Sequence, residues 1–207
     1  MSKVIVFGGT FDPVHNGHLS IARQAREQTA ADEVWFVVTN VPPLRDAAHA
    51  PPQARLEMVR AAVEGEEAFR AMDLEQRRGG VSHTADTMDA LHTAEPSPDF
   101  ALLLGADVAR SMPRWHRAAE LLARERFIIV NRAGHGAPGD GELRSLGYDR
   151  RRLTRLDVES PDVSGSEIRR RIAAGEDVSG MVPAAVLEVI QRRGLYRKGS
   201  PVHNAGG

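Results

Sequence analysis

The chain alternates between runs of unbroken apolar residues and stretches in which apolar positions return every three or four residues. Lys3-Val4-Ile5-Val6-Phe7, Glu33-Val34-Trp35-Phe36-Val37-Val38-Thr39, Asp99-Phe100-Ala101-Leu102-Leu103-Leu104-Gly105 and Arg126-Phe127-Ile128-Ile129-Val130-Asn131 are of the first kind. Strands covered on both faces read this way, because neither side of their sheet meets water. Arg155-Leu156-Asp157-Val158 is a weaker strand of the same type. Between the strands, the spacing predicts helices over Leu19 to Ala25, Gln53 to Glu64 (Leu56, Val59, Ala62 and Val63 inward), Thr84 to Thr93, and Arg117 to Arg124. Such alternation implies right-handed crossovers and a doubly wound, Rossmann-like α/β fold with a parallel sheet. Ser164 to Ala174 and Pro183 to Arg193 add two helices, so the C-terminal part is helical. Ligands of a doubly wound fold bind beyond the carboxyl ends of the strands.

At 207 residues the chain can build one substantial core and is short for two. We expect a single domain over 1–198, a flexible tail at 199–207, and a glycine-rich surface connection from Gly134 to Gly147. Lys plus Arg number 27 and Asp plus Glu 28, so no net basic field is available to hold a nucleic-acid backbone. A small phosphorylated ligand suits that balance. Zero cysteines exclude a disulfide framework, a thiol nucleophile and a thiolate zinc site. No apolar run approaches membrane-spanning length and Met1-Ser2-Lys3 leads straight into a strand, so the expected location is the cytoplasm, with no membrane partner. No heptad pattern is present from which to read an oligomeric state.

The densest chemistry follows the first strand. Gly8-Gly9-Thr10-Phe11-Asp12-Pro13-Val14-His15-Asn16-Gly17-His18 places a glycine turn and two histidines between strand and helix. Gly8 and Gly9 allow a close approach of backbone to a bound group, and Gly17 opens a helix whose first-turn N–H groups lack partners within the helix. An anion can satisfy those groups, and His15 and His18, three residues apart, fall near the same helix end. A lone histidine at a turn is ordinarily a cap or a core residue. A second cluster, Val163-Ser164-Gly165-Ser166-Glu167-Ile168-Arg169, has the S-x-x-E spacing of a capping box, which explains Ser164 and Glu167 without any ligand. It leaves out Arg169, whose guanidinium, with the Ser164 and Ser166 hydroxyls and the helix N-terminus, forms a receptor for phosphate oxygens. Arg170 and Arg171 read as a solvated helix face. Asp107 and Trp115, taken alone, read as a helix cap and a core residue. The histidines at 49, 92, 116, 135 and 203 are scattered among polar stretches and expected to be solvated.

Gly-Gly-Thr-Phe-Asp-Pro and His-x-Gly-His in this order after a first strand resemble the signature of the HxGH-motif nucleotidyltransferases, and within them the bacterial nicotinate mononucleotide adenylyltransferases. The resemblance runs almost the length of the chain: Asn40-Val41-Pro42-Pro43-Leu44-Arg45, Gly80 to Thr87, Gly105-Ala106-Asp107, Pro113-Arg114-Trp115, Arg132, the Ser164 motif, and Val182-Pro183 to Gly194-Leu195-Tyr196 all find counterparts. It implies a nucleoside triphosphate held by Gly8, Gly9, Thr10, Phe11, Gly17, Ser164, Ser166 and Arg169, with His15, His18 and Arg169 as the catalytic groups. It implies further that Asp12, Leu44, Arg45, His83, Thr84, Asp107, Trp115 and Arg132 meet a small phosphorylated acceptor, Asp107 at its ribose and Trp115 by ring stacking. In the implied reaction an acceptor phosphate attacks the α-phosphate in line and pyrophosphate leaves, and since the nucleophile is already an anion no enzyme base is needed. Mg²⁺ is the implied cofactor, held mainly by triphosphate and water, with no metal site built from the protein's own residues.

The chain departs from the family where substrate is chosen. Leu44 replaces a histidine, His83 an aromatic residue before Thr84, His116 an aromatic residue after Trp115, and Gly165 a serine or alanine. Three functions therefore stay open: adenylyl transfer from ATP to nicotinate mononucleotide, a paralogous cytidylyltransferase loading CMP onto a small phosphonate or other phosphorylated acceptor, and a non-catalytic nucleotide-binding regulatory protein. His15, His18, Ser164 and Arg169 are all present, which disfavours the last.

Overall fold

The computed structural model describes residues 1–43, 48–132, 136 and 138–197. Along them run β1 (Lys3–Gly9), α1 (Asn16–Thr29), β2 (Glu33–Val38), α2 (Pro52–Val63), β3 (Phe69–Met72), α3 (Leu74–Arg78), α4 (Thr84–Ala94), β4 (Asp99–Gly105), α5 (Ala106–Ser111), α6 (Ala118–Arg124), β5 (Arg126–Arg132), α7 (Asp140–Ser145), β6 (Leu153–Val158), α8 (Gly165–Ala174) and α9 (Ala184–Arg192). The strands form one sheet in the order β3-β2-β1-β4-β5-β6. The β1/β4, β4/β5 and β5/β6 pairs are parallel, with Val6 opposite Leu102 and Gly105 opposite Val130. This is the doubly wound order expected from the alternation of patterns. Val34 to Val38, Leu102 to Leu104 and Phe127 to Val130 are all buried, as unbroken apolar strands covered on both faces must be.

Several elements depart from the sequence expectation, which named neither α3 nor α5. β3 has only four residues and buries only Phe69 fully, too short a run to register as a strand. The segment from Gly134 to Gly147 is not a plain surface connection, because its part from Asp140 to Ser145 folds as α7 with Leu143 buried. Just beyond it, the Tyr148 hydroxyl donates to the Ala109 carbonyl at 2.9 Å and so pins this segment to α5. β6 also starts earlier than its apolar pattern, at Leu153, paired with Phe127.

The chain divides into two compact units. Unit 1 comprises Met1–Gly8, Ile21–Trp35 and His83–Ser160, and unit 2 comprises Gly9–Ser20, Phe36–Ser82 and Pro161–Gly207. Within unit 1, Trp35 meets Phe100 edge-on at 5.5 Å and Phe127 meets Tyr148 at 5.1 Å. Within unit 2, Phe36 lies between Phe11 and Phe69, with ring centroids 5.7 and 5.5 Å away. There α2 packs on both β3 and α9, and Glu57 of α2 accepts from Arg192 and Arg193.

Candidate active site

The loop after β1 owes its shape to two glycines and the rings beside them. Phe11 adopts a positive φ of 49°, and its buried ring folds back over Gly9. A Cβ at Gly9 would lie 2.8 Å from the Phe11 ring, so only glycine fits. Gly8 is exposed, with nothing within 4 Å of where a Cβ would sit. The other face of Phe11's environment is His18, edge-on at 5.1 Å. His15 is buried and stacks on His18 at 3.7 Å with an interplanar angle of 27°. Gly17 makes that stack possible, because a Cβ there would press to 3.1 Å from His15 Nδ1 and 3.2 Å from its Cε1. The spacing His-x-Gly-His is thus a packing requirement for two imidazoles sharing one helix end.

The His15 backbone N–H donates to His18 Nδ1 at 3.2 Å. With that nitrogen serving as acceptor, the proton of a neutral His18 ring sits on Nε2, which is then a donor. The backbone amides of this helix end are less available than the sequence implied. Asn16 N–H donates to the Met181 carbonyl at 2.9 Å, and His18 N–H to the His15 carbonyl at 2.9 Å. The Asn16 side chain also donates to the Gly180 carbonyl, which ties the start of α1 to the segment before α9.

The second motif forms the N-terminus of α8. Ser164 is the N-cap, its Oγ accepting from Glu167 N–H at 3.2 Å, and the Ser164 and Ser166 hydroxyls lie 3.1 Å apart. Only half of the capping box is made. The Glu167 carboxylate is held by Arg170 and Arg171 instead, and these lower its pKa to about 2. Arg170 also reaches Glu176, so both arginines occupy the solvated, ion-paired face expected of them. Arg169 turns the other way: its guanidinium donates to the Asp12 carbonyl at 2.7 Å across 157 residues of sequence. The structure therefore brings Arg169 to the loop that carries His15 and His18. Gly165 permits this closeness, since a Cβ there would stand 3.1 Å from the Asp12 carbonyl oxygen and 3.3 Å from the Arg169 guanidinium.

Asp12 is placed differently from the sequence expectation of an acceptor contact. Its buried carboxylate accepts from His49 N–H at 2.7 Å, Ala50 N–H at 3.1 Å and the Tyr196 hydroxyl at 2.7 Å. Three internal donors occupy it, so Asp12 positions the loop. Arg55, which sequence reasoning passed over, is 0 % exposed and ties four carbonyls together. It donates to Thr10 at 2.8 Å, Thr39 at 2.6 Å, Asn40 at 2.8 Å and Ala50 at 3.1 Å. Desolvation lowers its pKa, opposed by Asp12, Tyr196 and Glu75, and a guanidinium stays charged under such conditions. A cation beside Leu56 on the inward side of a helix was the only sequence signal for Arg55. For Tyr196 it was the terminal Gly194-Leu195-Tyr196. Burial, then Asp12, pushes the Tyr196 hydroxyl up in pKa, so it stays a donor.

In unit 1 the expected acceptor residues lie at the starts of helices and the ends of strands. His83 is the N-cap of α4 without a side-chain cap bond, and Thr84 is the first residue of that helix. The His83 ring meets His116 at 4.5 Å with a tilt of 37°, so two of the chain's departures from the family touch one another. Asp107, exposed in the first turn of α5, folds its Oδ1 toward Gly105. Trp115 is half-buried, its N–H closing the turn on the Met112 carbonyl, and Arg132 ends β5. Arg117 follows at a φ of 55° and bonds Asp89 and Glu120 at 2.7 and 2.6 Å. Leu44, Arg45, His135 and His203 lie outside the described residues. His92 is not simply solvated, since it meets the buried Glu125 at 3.1 Å, whereas His116 is exposed, as expected, with its ring tilted against His83. His49 is exposed, with Nδ1 3.5 Å from Asp12.

A doubly wound sheet carrying an HxGH loop and a serine–arginine helix start defines a nucleotide-handling class of protein, and comparison with known proteins agrees. The chain belongs to the cytidylyltransferase-like family, which it matches over residues 6–171. A Bacillus pumilus protein named probable nicotinate-nucleotide adenylyltransferase is 38% identical over 197 residues, 95% of this chain and 99% of that one. One of the same name from Dehalococcoides mccartyi is 36% identical over 199 residues, covering 95% and 98%. Among solved structures, Plasmodium falciparum nicotinic acid mononucleotide adenylyltransferase complexed with NaAD superposes with a TM-score of 0.77 over 95% of this chain and 98% of that one. At 18% identity that likeness speaks for the fold. The family resemblance read from the sequence is borne out.

Proposed function

We propose that this protein is a nicotinate-nucleotide adenylyltransferase: the phosphate of nicotinate mononucleotide attacks the α-phosphorus of ATP, the bond to the β-phosphate breaks, and pyrophosphate leaves. Relatives of that name at 36% and 38% identity over nearly the whole chain support the reading. Among observations on this chain, the one that carries it is the Arg169–Asp12 contact, which gathers the HxGH loop and the start of α8 within unit 2. Residues 1–198 act in this reading as one nucleotidyltransferase domain.

Because the attacking group is already an anion, catalysis needs in-line placement and neutralisation of developing charge. His18 Nε2–H and the stacked His15 meet the α-phosphate, whose charge is spread over more oxygens as the bond breaks. Arg169, with the Ser164 and Ser166 hydroxyls, holds the β- and γ-phosphates. Gly8, Gly9, Thr10, Phe11 and Gly17 supply the close-fitting backbone around them. ATP enters as its magnesium complex. The donor set of imidazoles, hydroxyls and one guanidinium contains no carboxylate cluster, which suits an ion carried by triphosphate oxygens and water. His83, Thr84, Asp107, Trp115, Arg132 and the Leu44-Arg45 loop are assigned to the acceptor. Among the described residues no helix is long and apolar enough to cross a membrane, and we place the enzyme in the cytoplasm.

The contact between His83 and His116 keeps a second reading, a cytidylyltransferase with a phosphonate or other phosphorylated acceptor, because both residues replace expected aromatics at the acceptor. Pyrophosphate release measured with ATP, CTP, GTP and UTP against nicotinate mononucleotide, its amide and small phosphonates separates the two. Activity with ATP and nicotinate mononucleotide is expected. Turnover with CTP and a phosphonate alone would support the second reading, and no release in any combination would contradict both.

A further inference from the structure

Unit 1 contains a hollow at the amino-terminal ends of its strands, the opposite end from the ligand-binding loops. Lys3 begins β1, Asp99 begins β4, Arg126 begins β5, and Arg151 and Arg152 form the turn that enters β6; all five line this cavity of about 210 Å³. Arg126 is matched to Asp99 at 2.9 Å. The backbone N–H groups of Lys3 and Arg151 donate to Asp32 and Asp149, yet no carboxylate meets the side chain of Lys3, Arg151 or Arg152 among the described residues. Several arginines elsewhere are matched, among them Arg110 with Glu142, Arg117 with Asp89 and Arg155 with Asp140. Here four cations and one carboxylate surround a single hollow in a chain whose net charge is −1.

We propose that this hollow is a binding site for a small phosphate-type oxyanion, separate from the triphosphate site. Like charges held around one cavity repel, and a multivalent anion turns that repulsion into attraction. Guanidinium groups meet phosphate oxygens through paired, charge-assisted hydrogen bonds, which a carboxylate-free arginine pair is free to make. The cavity falls below the roughly 300–1,000 Å³ of pockets that enclose drug-sized ligands. It therefore suits orthophosphate or pyrophosphate, not a nucleotide.

Isothermal titration calorimetry of the full chain at low salt with inorganic phosphate, and separately with pyrophosphate, tests this. Wild type is expected to bind at least one of these ions at two sites. Lys3→Ala/Arg151→Ala/Arg152→Ala should lose one site, or weaken it at least tenfold, while its turnover stays within twofold of wild type. Arg169→Ala should keep that site. Arg151 is exposed, so Arg151→Glu gives the same test should the triple variant fail to fold. Unchanged binding in these variants, loss of all binding in Arg169→Ala, or no binding of either ion to wild type at millimolar concentration would overturn the proposal.

Discussion

The two units hold their functional residues in opposite ways. In unit 2 the HxGH loop is wired from behind: Arg55 gathers four carbonyls, Asp12 accepts three donors, and Arg169 fastens the start of α8 to Asp12. In unit 1 His83, Thr84, Asp107 and Trp115, all assigned to the acceptor, are half-buried or exposed, Asp107 standing exposed and His83 touching His116. A charged transition state needs donors fixed in advance, because reorganising them during reaction costs the stabilisation they provide. Recognition of an acceptor tolerates, and is tuned by, replacement of single side chains. Of the departures from the family pattern read in the sequence, His83 and His116 fall in unit 1, whereas Leu44 and Gly165 belong to unit 2, which also carries His15, His18, Ser164 and Arg169. Gly165 supplies room on the wired side: the Asp12 carbonyl occupies the space a side chain would need.

The contrast can be broken by mutation, beginning where the effect is largest. His18→Ala removes a preorganised donor, and kcat should fall about a hundredfold or more with KM for both substrates within a few-fold. Near-normal turnover would take His18 out of the mechanism. Arg55→Met leaves four carbonyls, all buried or part-buried, short of their donor, at a cost of about 3 kcal/mol or more in stability by chemical denaturation. A loss below 1 kcal/mol would show that the wiring is dispensable. Gly17→Ala should displace the His15 ring and lower kcat about tenfold without a matching loss of stability. Tyr196→Phe deletes one buried hydrogen bond to Asp12 and should cost about 1 kcal/mol, seen as a fall in Tm of roughly 2–4 °C. The smallest effect is expected on the other side of the comparison: His83→Tyr with His116→Tyr should change KM for the acceptor several-fold and leave KM for ATP unchanged. A fall in kcat equal to that of His18→Ala would erase the distinction between wired chemistry and tunable recognition.

Much of this organisation could be read from the sequence, and the unread part has a common cause. Unbroken apolar runs located β1, β2, β4 and β5 to within two residues, because burial on both faces leaves a one-dimensional mark. The glycine–histidine spacing located the loop, because sterics around Gly9 and Gly17 are local. Arg55 and Tyr196 left almost no mark, since their partners come from segments distant in sequence. Thr10 and Thr39 lie 45 and 16 residues from Arg55, and Asp12 lies 184 residues from Tyr196. The same holds for Asp12, which looked free for substrate until His49, Ala50 and Tyr196 were seen around it. Glu167 shows the converse error of local reasoning. Its spacing fits a capping box, but two arginines on the same helix compete successfully for its carboxylate.

The most direct test is a single competition: wild-type protein, magnesium, equimolar ATP and CTP, and nicotinate mononucleotide, with the product identified by mass. Adenylyl transfer predicts the adenine-containing dinucleotide and an equal amount of pyrophosphate, with Arg169→Ala yielding far less of both. A cytosine-containing product, or none while the protein remains folded, would contradict it.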